Sequence, residues 1–261
     1  MRKIVPGLLL VAMSGLSATT AADVPRGEAN VLDLAVGDTI PVTVIPRGVH
    51  LRVDNDPVDD IWERVPEYQV WLAPAPIWHP SIGLRQDPAA KGMPLYFSTV
   101  SDGARLFVKM RWADATADRV TSLDRFRDGA AVQFALQSAD VTPYLMGVAG
   151  APVNIWYWKA GDDSAENLAA GGPGSTTRLD DQPLGAASAH GKAAFAPENQ
   201  WVVVMSRELG AEGMHMTSLD PAGDPQALAF AVWQGADGER DGHKNASTGW
   251  IFLDLSPLAG G

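Results

Sequence analysis

Apolar and polar residues alternate over short segments along most of the chain, a pattern typical of half-buried β-strands. The clearest pair is Leu95–Val100 and Arg105–Trp112, which are rich in β-branched and aromatic residues and are joined by Asp102 and Gly103. Asp-Gly between two such segments predicts a β-hairpin. Further strands are predicted at 32–36, 40–45, 51–53, 69–73, 130–136, 153–158, 201–207, 227–233 and 249–255.

No segment sustains a helical period for long, and turns rich in Gly, Pro, Asp and Asn separate the strands. This arrangement predicts a mainly β protein, an antiparallel β-sandwich with short helices and long loops. Residues 160–191 are small, polar and Gly-rich, and they are interpreted as a long surface excursion. Because strands of the same character resume afterwards, residues 23–261 are predicted to form a single domain.

The first 22 residues have the composition of a cleavable signal peptide. Arg2 and Lys3 form a short positive region, Ile4–Leu16 is apolar, and small residues follow up to Ala22. The apolar run is too short for a comfortable membrane span. The sequence therefore predicts export out of the cytoplasm as a soluble protein. Since the positive region is not a twin Arg, the general secretory (Sec) route is expected.

Composition limits the possible partners and cofactors. Removal of residues 1–22 takes away Arg2 and Lys3 but no acidic residue, which changes the formal charge from −11 to −13. Such a charge argues against nucleic acid or an anionic membrane surface and suits a cationic partner. The chain has no cysteine. Disulfides, thiolate metal sites and covalently attached c-type heme are excluded, so any redox cofactor must be held non-covalently.

The sequence contains no G-x-S-x-G nucleophile elbow and no pair of histidines at zinc spacing. Met214, His215 and Met216 form a soft-ligand group that could take copper. Trp156 and Trp158 share one face of a predicted strand. They could belong to the sandwich core, form a platform for sugars, or line a flat apolar cofactor pocket.

Two loop residues are candidates for a binding site. Met146 lies in the segment Pro143-Tyr-Leu-Met-Gly147, between two predicted strands, where a loop can lean over a pocket. Lys244 follows His243 in the Gly-rich turn that leads to the final strand. Taken singly, a Met is usually a core residue and a loop Lys is usually a solvated charge.

Together, however, these segments resemble a known family. The stretches are Pro143–Gly147, Pro152–Ala160, Trp201–Leu209 and Phe230–Lys244. They are similar to the heme b-binding γ subunits of periplasmic type II enzymes in the dimethyl sulfoxide reductase family, which include ethylbenzene, selenate, chlorate and dimethylsulfide enzymes. The resemblance implies a β-sandwich that binds one non-covalent heme b through an axial Met and an axial Lys.

Carried onto this sequence, the resemblance implies Met146 and Lys244 as the iron ligands, with His243 as the alternative to Lys244. Four aromatic residues are expected as pocket walls: Tyr144, Trp156, Trp158 and Trp233.

The resemblance also implies an electron-transfer subunit of a heterotrimer that is not itself catalytic. The expected partners are a molybdenum-containing α subunit, an iron–sulfur β subunit and a soluble c-type cytochrome. The overall likeness favours the dimethylsulfide enzyme as the complex. A secreted carbohydrate-binding β-sandwich module, with the tryptophans as a sugar platform, is the alternative function.

Overall fold

A computed structural model of the chain describes residues 31–46, 55–77, 79–179, 184–192, 199–211 and 213–260. The predicted signal peptide and the predicted strand at 51–53 lie outside these residues. The strands are β1 Val31–Asp33, β2 Thr39–Pro41, β3 Thr43–Val44, β4 Glu67–Pro74, β5 Met93–Ser101, β6 Arg105–Ala113, β7 Gly129–Ala135, β8 Val153–Lys159, β9 Ser164–Ala170, β10 Thr176–Arg178, β11 Leu184–Lys192, β12 Asn199–Glu208, β13 Gln226–Trp233, β14 Asn245–Ser247 and β15 Ile251–Asp254.

The helices are short, as the sequence predicts. Within the described ranges, one α-helix, α1, spans Pro80–Gly83, and three 3₁₀ helices span Asp60–Glu63, Gly235–Asp237 and Ser256–Gly260. No helix among the described residues combines the length and the apolar character that crossing a membrane requires.

Ten of the strands form one closed ladder of hydrogen bonds, in the order β4-β14-β13-β7-β8-β9-β11-β12-β6-β5, because β5 pairs back onto β4. All of these pairings are antiparallel. The parallel pairs are at the margins, where β1 joins β4, β2 joins β15 and β3 joins β5. The predicted mainly β, antiparallel sandwich-like fold is confirmed.

The ladder folds into two layers that face each other across an aromatic core. The Phe97 ring on β5 lies 4.6 Å from the Phe230 ring on β13, measured between centroids. Near the other end of the layers, Trp158 on β8 meets Trp201 on β12 at 5.0 Å. Both tryptophans are fully buried. Because adjacent strand residues point to opposite faces, every second residue of these strands enters this core.

The outward face of β7, β8 and β13 is also covered, and this second buried face carries mainly small residues. Its members include Ala131, Ala135, Ala227, Ala229, Ala231 and Ala246, with Trp233 and Trp250 at the margins. Loops that carry Tyr144 and Met146 pack over it. Small side chains on a strand face leave room between the sheet and the loops above it.

The interpretation of residues 160–191 as a surface excursion is wrong. Residues Ser164–Ala170 form β9, and Leu184–Lys192 form β11, which together connect β8 to β12 within the closed ladder. These strands are rich in Ala, Gly and Ser, which have low intrinsic strand propensity. Their pairing with β8 and β12 outweighs that preference, so local composition gave no signal.

Candidate functional site

A cavity of about 610 Å³ lies between the alanine-rich outer face and the loops that cover it. Its floor includes Ala131, Ala229, Ala231 and Ala246, which lie close to one another on the adjacent strands β7, β13 and β14. Ile155, Leu168 and Phe230 extend the apolar lining. A cavity of this size, mostly apolar and with few polar groups, is typical of a site for a small organic ligand.

Met146 enters the cavity from the loop between β7 and β8. Its backbone is left-handed, with φ of 64°, a conformation that is uncommon for a non-glycine residue and that clusters at functional sites. Gly147 N–H donates to the Pro143 carbonyl at 3.0 Å, and Gly172 N–H donates to the Met146 carbonyl at 2.9 Å. These bonds hold the turn in the conformation that directs the thioether inward.

The sheet beneath anchors the same loop. Gln133 on β7 donates its side-chain amide to the Tyr144 carbonyl. The Trp250 indole donates to the Thr142 carbonyl at 2.8 Å. Both donors belong to the structure on which the loop rests, so the position of Met146 is set by the sheet.

Lys244 reaches the cavity from the opposite side. Its carbonyl accepts a hydrogen bond from Ala75 N–H at 2.8 Å, which ties the segment before β14 to the end of β4. Its Nζ lies 3.8 Å from the Met146 Sδ and 4.7 Å from the centroid of the Trp233 ring. The two side chains therefore meet inside the cavity.

The Lys244 ammonium lacks a partner of opposite charge among the ion pairs of the described residues. Desolvation by burial lowers the pKa of Lys244 from its ordinary 10.5 to about 8. The residue as a whole is half-buried and is part of the cavity lining. The neutral amine, which is the form that binds a metal, is therefore easier to produce here than at a solvated lysine.

A buried carboxyl group fixes the loop that precedes Lys244. The Glu239 carboxylate accepts from Gln234 N–H at 2.8 Å and from the Asn245 amide at 2.9 Å. Burial raises the pKa of Glu239 to about 7, with the nearby Asp237 and Asp114 acting in the same direction. These two hydrogen bonds hold both ends of the turn.

Four polar residues of the cavity lining lie close together at one edge. Tyr157, Lys159, Glu166 and Asp241 are part of the lining there. The Lys159 Nζ lies 3.1 Å from a Glu166 carboxylate oxygen. Burial raises the pKa of Tyr157, and the negative charges of Glu166 and Asp241 add to this effect. The cavity is therefore amphipathic, with an apolar floor and one charged edge.

Comparison with the sequences of known proteins shows the family to which this chain belongs. The family model described as ethylbenzene dehydrogenase matches residues 59–195. The γ subunit of dimethylsulfide dehydrogenase from Rhodovulum sulfidophilum is 48% identical over 223 residues, which are 85% of this chain and 83% of that protein. The chain belongs to the ethylbenzene dehydrogenase family of γ subunits.

Two further relatives span most of the chain. The chlorate reductase γ subunit of Ideonella dechloratans is 31% identical over 97% of this chain and 96% of its own length. A Haloferax mediterranei protein, named as the heme subunit ORF7 of a respiratory nitrate reductase, is 35% identical over 87% of this chain and 80% of its own. The predicted family is confirmed.

Among solved structures, a family 9 carbohydrate-binding module from Caldicellulosiruptor kristjanssonii, solved with glucose, is similar with 14% identity and a TM-score of 0.39. The likeness covers 83% of this chain and 95% of that one. At this TM-score the likeness carries no argument about the function of this chain.

In this family member, the structure brings four of the predicted site residues together. Met146, Lys244, Tyr144 and Trp233 all contribute to the lining. His243 is buried but is not part of the lining, although its neighbour Lys244 is. The backbone of His243 pairs with Arg240 instead. The geometry thus favours Lys244 over His243 as the partner of Met146.

The prediction that Trp156 and Trp158 form walls of the pocket is wrong. Both are fully buried in the inner core. The lining comes from the other face of the same strand, through Ile155, Tyr157 and Lys159. A sugar platform built on Trp156 and Trp158 loses its basis for the same reason.

The geometry also bears on the possible copper group and on a feature that the sequence analysis missed. In the group Met214–Met216, Met214 is 79% exposed and His215 is exposed, whereas Met216 is buried against Gly213. These side chains do not converge on one point. The alanine floor was not anticipated, although Ala227, Ala229 and Ala231 at alternate positions of β13 were a signal that one face of this strand carries small side chains.

Proposed function

We propose that this chain binds one non-covalent heme b, with Met146 and Lys244 as axial ligands of the iron, and serves as an electron-transfer subunit. The observation that carries the proposal is the 3.8 Å approach of the Lys244 Nζ to the Met146 Sδ inside an apolar cavity. Thioether and neutral amine are both donors that heme iron accepts. The name of the Haloferax mediterranei relative, a heme subunit, supports the cofactor class.

The residues present fit this group. The alanine floor offers a flat apolar surface. Lys244 has no ion-pair partner among the described residues, and its deprotonated amine would be free to donate its lone pair to a metal. Lowering the pKa of this lysine from 10.5 to about 8 reduces the cost of supplying the neutral amine by roughly 3 kcal/mol. When bound, heme b supplies one-electron chemistry.

The chain's own residues set the properties of the site. The Met146 thioether is a neutral, soft donor that favours the reduced metal and so raises the potential. The loop conformation at Met146 and the hydrogen bonds of Glu239 hold both donors in place. With Met146 and Lys244 both holding the iron, no position would remain for a substrate, and the subunit is therefore proposed to be non-catalytic.

The names of the relatives support a role within a larger complex. γ Subunits of dimethylsulfide dehydrogenase and chlorate reductase belong to enzymes with several subunits. We propose a heterotrimer with a molybdenum-containing α subunit and an iron–sulfur β subunit, with electrons passing between the β subunit and a soluble c-type cytochrome. The 48% identity favours dimethylsulfide dehydrogenase as the enzyme.

The proposed location is the periplasm, reached through the Sec route after cleavage of residues 1–22, with 23–261 as a single domain. A formal charge of −13 after cleavage suits a basic cytochrome and does not suit nucleic acid or an anionic membrane. The γ subunit would then cross unfolded and acquire its cofactor outside the cytoplasm. Blocking the twin-Arg route should leave export of this chain intact.

Reconstitution of the purified protein with hemin tests the proposal. A Soret band with a low-spin spectrum is expected, and acid-acetone should extract the heme because no cysteine anchors it. Met146→Ala and Lys244→Ala should each lose the low-spin spectrum. Met214→Ala and Lys192→Ala remove the same residue types from exposed positions and should leave it unchanged.

An unchanged low-spin spectrum in Met146→Ala would refute the ligand assignment. A folded protein that stays colourless with hemin, and whose tryptophan fluorescence responds to oligosaccharides, would instead support the carbohydrate-binding alternative.

A further inference from the structure

An arginine side chain crosses the inner core from one layer of the sheet to the other. Arg207 lies on β12 and has the same orientation as the core residues Val203 and Met205. It is fully buried. Its Nη1 donates to the Asn154 Oδ1 on β8 at 3.0 Å. The guanidinium is thus held at the far layer, where β8 and β9 separate the core from the cavity.

This guanidinium has hydrogen-bond partners but no counter-ion among the described residues. The Arg207 Nη2 donates to the Thr217 carbonyl, and its Nε donates to the Glu208 backbone carbonyl at 3.3 Å. The Trp156 ring centroid lies 5.2 Å from its Cζ. None of the ion pairs in the described ranges includes Arg207. Burial lowers the pKa of Arg207 to about 10, which leaves it protonated at neutral pH.

The opposite face of the same two strands lines the cavity. Ile155 follows Asn154 on β8 and pairs with Leu168 on β9, and both side chains belong to the lining. The Asn154 Nδ2 donates to the Leu168 carbonyl at 2.9 Å. The guanidinium therefore lies directly beneath the cavity wall, with one strand layer between them.

The charged groups of the cavity lining are in different surroundings. Lys159 is paired with Glu166, and both side chains are about one-quarter exposed, while Asp241 is exposed. The buried Glu239 has a pKa of about 7, so it is partly protonated at neutral pH. Water and salt screen exposed charges strongly, whereas a buried charge acts through a medium of lower effective dielectric. The field of Arg207 is therefore screened less than the fields of the exposed groups.

We propose that Arg207 raises the reduction potential of the bound heme through its positive charge. This inference rests on the proposed function. The oxidised iron centre carries one more positive charge than the reduced centre, so a nearby cation favours the reduced state. The effect has the same direction as that of the neutral thioether of Met146. A buried charge without a carboxylate partner costs folding stability, and its effect on the cavity gives a reason for its presence in the core.

The test measures the midpoint potential of the hemin-reconstituted protein in the wild type and in two variants that cancel the charge by opposite means. Arg207→Met removes the cation, whereas Asn154→Asp places a carboxylate beside it. Both variants should lower the potential. The expected effect is a roughly 10-fold smaller preference for ferrous over ferric iron, which is about 59 mV for a one-electron couple.

Two further variants separate charge from structure. Asn154→Ser disturbs the same hydrogen bonds without a change in charge. Arg105→Met removes a guanidinium from a half-buried position on the outer face of the β6–β12 layer, where it donates to the Ser206 Oγ. Both should keep the wild-type potential. Asn154→Asp leaves Arg207 in place, so it decides even where Arg207→Met does not fold.

The low-spin spectrum reports in each variant whether the axial ligands are kept. Wild-type potentials in both Arg207→Met and Asn154→Asp would overturn the inference while the proposed function stands. Loss of the low-spin spectrum in both variants would also overturn it, because Arg207 would then act through structure. Failure of the wild type to bind hemin would refute the proposed function itself.

Discussion

The Nζ of Lys244 lies 3.8 Å from the Sδ of Met146, although 98 positions separate the two residues in the chain. Met146 belongs to a turn held by the β7–β8 layer, and Lys244 belongs to a turn held by Glu239 and the end of β4. Neither residue lies within a strand. The closed sheet positions both turns, and the approach of the two side chains follows from that scaffold.

The proposed thioether ligand predicts a change in redox potential. Met146→His should keep a low-spin spectrum but lower the midpoint potential, because imidazole stabilises the oxidised metal better than a thioether does. Spectroelectrochemical titration measures the shift. Met214→His, at an exposed position, should leave the potential unchanged, and a similar potential in wild type and Met146→His would argue against thioether ligation.

Gly147 should be essential for the Met146 turn. Its φ is 66°, and a Cβ at this position would lie 2.7 Å from the Ala151 carbonyl oxygen. Gly147→Ala should therefore lower the free energy of unfolding by about 1–3 kcal/mol and weaken hemin binding, as measured by urea denaturation and absorbance titration.

Gly150, three residues further along, provides the matched control. A Cβ there meets nothing within 4 Å. Gly150→Ala should leave stability and binding within error of the wild type. Equal losses in the two variants would show that the contact with the Ala151 carbonyl oxygen is not the specific cause of the effect.

The sequence predicted the strands that carry strong local signals. The hairpin of β5 and β6 was predicted because Asp102 and Gly103 join two segments rich in β-branched residues, and the structure confirms it. Strands β9 and β11 were missed, because Ala and Gly have little intrinsic preference for a strand and their partners are set by tertiary pairing.

The candidate site was predictable only through the resemblance. Met146 and Lys244 have no chemical signature when taken singly, and their approach depends on the closed ladder. The alternation of β8 showed that Trp156 and Trp158 share a face, but a period of two does not say which face lies toward the core. The structure shows that Tyr157, the residue between them, lines the cavity.

The alanine floor predicts that added bulk will block binding. Ala231 pairs with Ala131 on β7 and with Ala246 on β14, near the middle of the floor. Ala231→Phe should fill the cavity and weaken hemin binding at least about 10-fold, with little loss of thermal stability, because the new ring occupies existing space. Absorbance titration and thermal unfolding measure the two effects.

Ala189→Phe on β11, at a half-buried position outside the cavity lining, controls for the added ring. This variant should bind hemin as the wild type does. Normal binding by Ala231→Phe would mean that the ligand occupies another part of the protein.

Asp114 predicts a pH dependence of stability. Burial raises the pKa of Asp114 from 3.8 to about 7, and the nearby Asp128 adds to the effect. Between about pH 4 and pH 7 the folded state holds more protons than the unfolded state, so the free energy of unfolding falls as pH rises through this window. Asp114→Asn should remove this contribution, while the hydrogen bond from Thr116 N–H can be kept.

At pH 8, Asp114→Asn should be more stable than the wild type by about 1–3 kcal/mol, and the difference should shrink toward pH 4. Urea denaturation across this range measures it. Asp224→Asn removes the same charge from the exposed surface and should follow the wild-type profile. A pH-independent difference in Asp114→Asn would show that packing, not ionisation, is responsible.

The closure of the ladder between β4 and β14 also determines when the cavity can form. Leu72–Pro74 pair with Asn245–Ser247, which come from opposite ends of the sequence. Contacts of such long sequence separation form slowly, since loop-closure entropy must be overcome before they contribute. Lys244 directly precedes this pairing, so the cavity gains its second donor only when these two distant segments have come together. Cofactor capture should therefore be a late event in folding rather than a nucleus for it.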